Sequence, residues 1–378
     1  MPQQERKWGE SPWRPQRFAV QPLTASPVDA IVVGGGLTGV AAALRLARAG
    51  LRTVVLEAGR FGDGASGRTG GIVLEGTAWG PGEGVTRCVP ELDQLVRDEA
   101  LDCDLEIPGC WEIDHRDGAA AEQLPWRDGA TTIRIVRTVA GGVVDPLALL
   151  AGLAQRAAAA GAILHEYARV TRIVADKSVA VEAAGITLRA RYLVIATNAW
   201  TGALLPAIRP TRAALTFACA TSALDASTLA AIGLNPGLPF YTVDLPYLWG
   251  RLTRERRLIM GAGLIWGSAD ELETLDVSSG EAAAVLEHLE ARVRRLNPAL
   301  HDVQIDRRWA GPIAIPDGQA PQIGRLAQAS NIFVASGYAG HGVALSVAAG
   351  TLVACAIIEG ASLPRWTDPA KQIGKAKD

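Results

Sequence analysis

The 378-residue chain has five cysteines, Cys88, Cys103, Cys110, Cys219 and Cys355, and neither a C-x-x-C pair nor a zinc-like grouping with the histidines occurs among them. An odd, dispersed set excludes a disulfide framework and reads as free thiols in a reducing compartment. Excess charge of either sign is also missing: 37 Lys plus Arg stand against 39 Asp plus Glu, leaving a net charge of -2. That balance gives no footprint for nucleic acid or for an anionic membrane surface, so the partner is expected to be a small molecule. The N-terminal MPQQERKWGE carries charges where a signal peptide needs an apolar core, and the expected location is cytoplasmic. A G-x-S-x-G elbow is absent as well, which argues against hydrolase chemistry.

One run tests the membrane question. Residues 326–358 contain no Asp, Glu, Lys or Arg and are long enough to span a bilayer. Gly337, Gly340, Gly342 and Gly350 interrupt the run, which divides into a strand at 331–335, a glycine turn and a helix starting near Val343. A buried strand, turn and helix is expected there, with no membrane span.

What is present is organised around residues 29–57. The apolar VDAIVV at 28–33 precedes Gly34, Gly36 and Gly39 at G-x-G-x-x-G spacing, and an apolar-periodic run follows up to Gly50. The first glycine permits the tight turn, the second admits a pyrophosphate to the backbone, and the third lets helix lie on strand. The helix N-terminus, at Leu37 and Thr38, supplies partial positive charge. A second apolar run, 52–56, then delivers Glu57 where a carboxylate accepts bonds from a ribose, with Ala58 beside it. A lone glycine motif is weak evidence, but the complete strand, turn, helix, strand and acid is a dinucleotide-binding unit.

With 49% hydrophobic residues the chain can build a sizeable core, and its length suggests two domains. Residues 1–26 read as an irregular arm. Strand-like 192–196 (YLVIA) suits a buried parallel sheet, and Thr197, Asn198 and Ala199 end it at the carboxyl edge where ligands bind, with Ala196 and Thr197 as cofactor candidates. Asp145-Pro146 opens a helix that Gly161 stops, and 170–175 with 178–183 reads as a hairpin. Ser278-Ser279-Gly280-Glu281 reads as a capping box before an amphipathic helix, and the Asn235-Pro236, Leu238-Pro239 and Leu245-Pro246 pairs break the segment ahead of it. The expected fold is α/β: a Rossmann-like, GR2-type dinucleotide domain from 27–75, 145–205 and 310–365, and a second α+β substrate domain on a mixed or antiparallel sheet from 76–144 and 206–309. Residues 366–378 form a tail.

Four stretches resemble a known family: VVGGGLTGVAAALRLARAGLRTVVLEA (32–58), GASGRTGG (64–71), LVIATNAWTG (193–202), and WAGPIAIPDGQAPQIG with NIFVASGYAGHGVALSVAAG (309–350). Together they are similar to the FAD-dependent amine and amino-acid oxidoreductases of the D-amino-acid-oxidase, glycine-oxidase and sarcosine-oxidase type, nearest the γ-glutamylputrescine-oxidoreductase-like members. The resemblance implies FAD as cofactor. It places Gly64, Ala65, Ser66, Arg68, Thr69, Gly70 and Gly71 in a flavin loop, Val170 at the adenine, Gly337, Gly340, His341, Gly342 and Val343 around the isoalloxazine, and Gly311 among the cofactor-binding residues. Members of the sarcosine-oxidase type attach FAD to a cysteine before the C-terminal proline loop. The corresponding Arg308-Trp309-Ala310-Gly311-Pro312 has none, so FAD is expected to be non-covalent.

Where D-amino-acid oxidases carry a carboxylate-binding arginine, this chain has Ala310 or Gly311, which favours an amine substrate unless Arg251 or Arg308 replaces the clamp. Some oxidases of the family activate O2 with a lysine on the strand matched by Leu258-Ile259-Met260, where this chain has none, so O2 and another electron acceptor both remain open. The expected chemistry is oxidation of a C–N bond by hydride transfer to the flavin, giving an imine that hydrolyses. An amino-acid oxidase or dehydrogenase acting on glycine or a D-amino acid, and a flavin-binding protein without turnover, are the alternatives. For substrate contacts the candidates are Tyr247, Trp249 and Arg251, alternate residues on one strand, with His341 at the flavin. Tyr241 and Trp200 are weaker candidates. The blander readings are core packing for the aromatics, a structural role for His341, and solvated faces for the charge runs at 254–257 and 292–295.

Overall fold

The computed structural model describes residues 7–24, 27–80, 82, 85–115, 122–176, 178–206, 211–234, 237–242, 247–317, 320–326 and 329–363. The expected tail, the start of the arm, and the Asn235-Pro236 and Leu245-Pro246 breaks lie outside the described residues.

Short β-branched runs without polar alternation build the first sheet, because strands covered on both faces need apolar residues at every position. Ala30–Val33, AIVV, is buried throughout and lies at the centre. It pairs in parallel with Tyr192–Ile195 on one side and Thr53–Leu56 on the other. Ile163–His165 extends the sheet beyond Thr53–Leu56, Ile332–Ser336 extends it beyond Tyr192–Ile195, and Gln322–Arg325 closes that edge antiparallel. The helices Leu37–Arg48, Cys88–Asp98, Pro146–Ala159 and Gly342–Glu359 bury their apolar faces in one core on one side of this sheet. A three-stranded antiparallel sheet, Val170–Ala175, Val179–Ala183 and Ile186–Ala190, covers the opposite face, so the expected hairpin has a third strand.

The Gly342–Glu359 helix is long and apolar enough to cross a membrane by composition, yet 67% of it is buried inside the fold. It packs on the Leu37–Arg48 helix so closely that a Cβ at Gly350 would stand 2.3 Å from the Thr38 carbonyl oxygen. Only glycine permits that approach.

The second sheet has eight strands, ordered Ile305–Pro316, Thr211–Ala223, Arg257–Gly267, Trp249–Leu252, Phe240–Thr242, Cys110–Asp114, Thr131–Val139 and Glu122–Asp128. All neighbours are antiparallel except Phe240–Thr242 with Cys110–Asp114. Residues 310–316, expected with the first sheet, belong to this one: Ile305–Pro316 pairs with Thr211–Ala223 along its length, and the return to the first sheet follows Pro316. The capping box also moves. Ser279 caps the Gly280–Leu296 helix without a side-chain bond, whereas Ser268 and Glu271 form the reciprocal pair at the Ala269–Thr274 helix. All five cysteines are free, and burial pushes the thiols of Cys88, Cys103, Cys110 and Cys219 up to about 12.

Asp145 caps the Pro146–Ala159 helix as the sequence suggests, its Oδ1 accepting the N–H groups of Leu147 and Ala148 at 2.9 Å each. Asp145→Ala is expected to lower stability by about 1 kcal/mol. The urea midpoint of the apoprotein measures this, and an unshifted midpoint would mean the cap contributes nothing.

Candidate functional site

The carboxyl ends of the parallel strands open into a cavity of about 860 Å3, bounded by Gly34, Glu57 and Thr197 below and by Trp249, Leu264 and Ile313 of the second sheet above. Gly34 turns the chain there at φ +107°, and a Cβ on it would lie 2.5 Å from the Ala196 carbonyl oxygen. Gly39 is pressed against the turn itself, 2.0 Å from Gly34 O to a notional Cβ, so helix and strand meet without a side chain between them. A Cβ on Gly36 would stand 2.8 Å from Ser66 Oγ. That hydroxyl accepts the first helical N–H, from Leu37, at 3.0 Å. Glu57 is fixed on the wall by bonds from the N–H groups of Gly35 at 2.7 Å and Gly59 at 2.8 Å. A carboxylate offers about four acceptor positions, so it can also receive hydroxyls from a ligand.

A second helix N-terminus meets the same cavity. The turn 337–342 uses Gly337 and Gly340 at positive φ, and the 18-residue helix begins at Gly342. Two side chains fix this turn. Tyr338 Oη and Thr38 Oγ1 lie 2.8 Å apart, tying the two helix starts together, and Asn198 Oδ1 accepts the Gly337 N–H at 3.2 Å. Asn198 itself stands at φ +45°, a conformation asparagine tolerates better than most residues. His341 lines the cavity, its ring edge-on to Tyr241 with centroids 6.2 Å apart. Burial pushes its imidazole down to about 4, so the ring is neutral at pH 7. Tyr241 Oη donates to Glu112 at 3.2 Å, and Arg137 donates to the same carboxylate at 2.9 Å.

Of the residues singled out from the sequence, Gly34, Gly36, Leu37, Thr38, Glu57, Ala58, Gly64, Ala65, Ser66, Arg68, Thr69, Gly70, Val170, Ala196, Thr197, Gly311, Gly340, His341, Gly342 and Val343 all line the cavity. So do Trp249, Tyr247, Tyr241 and Trp200. Gly39, Gly71 and Gly337 do not: each serves a turn or a close packing contact just behind the wall.

Arg251 is a correction. It shares a strand face with Trp249, but its guanidinium is buried away from the cavity, where Nη1 donates to Gly71 O at 3.0 Å and Val144 O at 2.7 Å. It holds the end of the 64–71 loop. Arg308 is paired with Glu290 and lies outside the cavity as well. Tyr247 is 47% exposed and stands at the cavity mouth, ahead of the strand that begins at Trp249. Trp249 is the deeper residue: a Cβ at Gly70 would lie 2.2 Å from its ring and one at Gly261 2.0 Å. Arg292, expected on a solvated helix face, is buried and donates to Asp128 at 2.9 Å and to Tyr247 O at 2.8 Å.

Asn198, expected with Thr197 and Ala199 at the carboxyl edge of the sheet, lines the cavity as well. Sequence reasoning missed Tyr338, Thr216, Leu264, Ile313 and Ile315, which reach the cavity through tertiary placement.

The profile of the FAD dependent oxidoreductase family (DAO) matches residues 29–356. The chain belongs to this family. It is similar to gamma-glutamylputrescine oxidoreductase of Escherichia coli (strain K12), 29% identical over 369 residues that cover 86% of this chain and 82% of that protein. Among solved structures its fold is shared by glycine oxidase from Geobacillus kaustophilus, with a TM-score of 0.75, 21% identity, and coverage of 92% of this chain and 100% of that one. L-Proline dehydrogenase from P. horikoshii shares it too, with a TM-score of 0.73, 20% identity, and coverage of 92% and 98%. The cofactor of the family is FAD, and the cavity suits a dinucleotide: its volume lies in the upper range of ligand sites, two helix N-termini favour anionic groups, and side chains at Gly34 and Gly36 would collide with its walls.

The low His341 value predicts a pH signature. Between about 6.5, its ordinary value, and about 4, the unfolded chain binds a proton that the folded chain does not, so His341 makes stability fall as pH falls through that window. Relative to His341→Gln, the wild-type apoprotein is expected to lose about 1–3 kcal/mol between pH 7.5 and pH 4. Urea denaturation at both pH values measures the difference; an equal pH dependence in both proteins would contradict a buried neutral imidazole.

Proposed function

We propose that the chain oxidises the C–N bond of an amine, with non-covalent FAD held across the two helix N-termini. In this reading the cofactor domain comprises 27–75, 145–205 and the segment after Pro316, and the eight-stranded sheet forms the substrate domain. Gly34, Gly36, Leu37, Thr38 and Glu57 hold the ADP half, Val170 lies at the adenine, the 64–71 loop crosses the middle, and Gly340 to Val343 meet the flavin ring. When bound, FAD supplies the two-electron acceptor that takes a hydride from the carbon bearing the amine. O2 or another carrier then removes the electrons, and the setting is cytoplasmic.

The observation that carries the choice of an amine is the state of the cavity's arginines. Among the described lining residues, Arg68 donates to the carbonyls of Asp63 and Gly9, and Arg169 pairs with Glu273 at 3.2 Å. Neither is poised to fork a substrate carboxylate, and Arg251 and Arg308 stand outside. The substrate-side wall is instead Trp249, Tyr241, Leu264, Ile313 and Ile72. Such a wall disfavours an ammonium ion and favours the neutral amine, the form whose carbon releases hydride. The N-terminus of the Gly342–Glu359 helix favours the negative charge that develops at its end of the cavity. Water hydrolyses the imine product to complete the reaction.

Anaerobic mixing with a panel of alkyl and aryl amines, glycine and D-amino acids decides the substrate class. Amines are expected to bleach the flavin absorbance at concentrations at least about tenfold below any amino acid. The bleaching rate should climb with pH towards the pKa of the amine. Bleaching by amino acids alone would refute the proposal.

A further inference from the structure

The family profile begins at residue 29, yet residues 7–13 of the arm are built into the fold beside the cavity. Trp8 is fully buried, its Nε1 donating to Leu272 O at 2.9 Å and its carbonyl accepting the Ala310 N–H at 2.8 Å. Gly9 bridges to Trp309 at φ +70°, and a Cβ there would stand 2.1 Å from Arg308 O. The anchored segment then passes over the 64–71 loop. Three consecutive carbonyls of that loop each accept a side-chain bond: Gly67 O from Ser11 Oγ at 2.9 Å, Arg68 O from Trp309 Nε1 at 2.8 Å, and Thr69 O from Trp13 Nε1 at 2.9 Å. Arg68 Nη1 returns a bond to Gly9 O at 2.9 Å. Arm and loop are thus one hydrogen-bonded unit, and Arg68, Thr69 and Gly70 of that unit line the cavity.

We propose that residues 7–13 are a clamp that holds the 64–71 loop in its binding conformation and thereby sets how tightly FAD is retained. Ser11 and Trp13 are the positioning residues; they act through the loop and touch no reacting atom. The inference rests on the reading that this loop holds FAD. A glycine-rich segment loses more backbone freedom on ordering than any other. Donors supplied by the arm order it before the ligand arrives, so binding does not carry that cost.

The test is the double variant Ser11→Ala/Trp13→Phe, which keeps the ring in place and removes two donors. The control is Trp126→Phe, which removes another tryptophan-to-carbonyl bond, Trp126 Nε1 to Ile232 O at 2.7 Å, in the separate core of the second sheet. Hydrogen exchange of the 65–71 amides is measured on each apoprotein, and FAD affinity by flavin fluorescence. The double variant should exchange in the loop and release FAD each about tenfold more readily, because two donors to the loop carbonyls are lost. The control should stay within about twofold. Wild-type exchange and affinity in the double variant, or equal weakening in the control, would overturn the clamp. If the wild-type chain takes up no FAD, the cofactor reading fails, and the apoprotein exchange data judge the clamp separately.

Discussion

The structure depends on two helices approaching closer than side chains allow. Gly39 seats the Leu37–Arg48 helix on the Gly34 carbonyl, and Gly350 seats the Gly342–Glu359 helix on the Thr38 carbonyl. The Tyr338 to Thr38 hydrogen bond then locks the two starting turns together. Both helices therefore aim their N-termini at one space above the parallel sheet. Each end is equivalent to roughly half a positive charge, so one cavity is prepared for anionic groups at two points without a lysine among its described lining residues. A methyl added at Gly39 would push the first helix off its turn, and one at Gly350 would push the two helices apart.

The second sheet completes the cavity by the same logic of close contact. Trp249 is held between Gly70 and Gly261, so the loop from the first sheet and a strand of the second share one indole. Behind that contact Arg251 bonds the carbonyls of Gly71 and Val144, and the arm bonds those of Gly67 and Thr69. Buried carbonyls left without donors would each cost about 1–3 kcal/mol, which explains why so many side chains converge on so short a loop. The guanidinium of Arg251 is thereby engaged in structure, and Trp249, Leu264 and Ile313 of the second sheet present an aromatic and aliphatic wall to the cavity.

Much of this is legible in the sequence. The spacing of Gly34, Gly36 and Gly39, the acid at Glu57 and the apolar 192–196 run encode the first sheet and its ligand edge, because local periodicity and turn chemistry determine them. The start of the final helix at Gly342 followed from the glycine turn. The role of Arg251 did not: strand alternation placed it beside Trp249, and a long flexible side chain carried its charge to carbonyls on the far side. Residues 310–316 read locally as a proline-broken loop, because Pro312 interrupts what is a twelve-residue strand of the second sheet. Tyr338, Leu264 and Ile313 reach the cavity through long-range packing that no local pattern announces, and Arg292 was hidden by its charged neighbours.

The most direct test is the absorbance spectrum of the purified protein before and after acid precipitation, with FAD added back to any colourless fraction. The account predicts a yellow protein that releases about one FAD per chain into the supernatant. A protein that carries no flavin and cannot be reconstituted, or one whose flavin stays with the precipitate, would contradict the central claim that this paired-helix cavity holds FAD non-covalently.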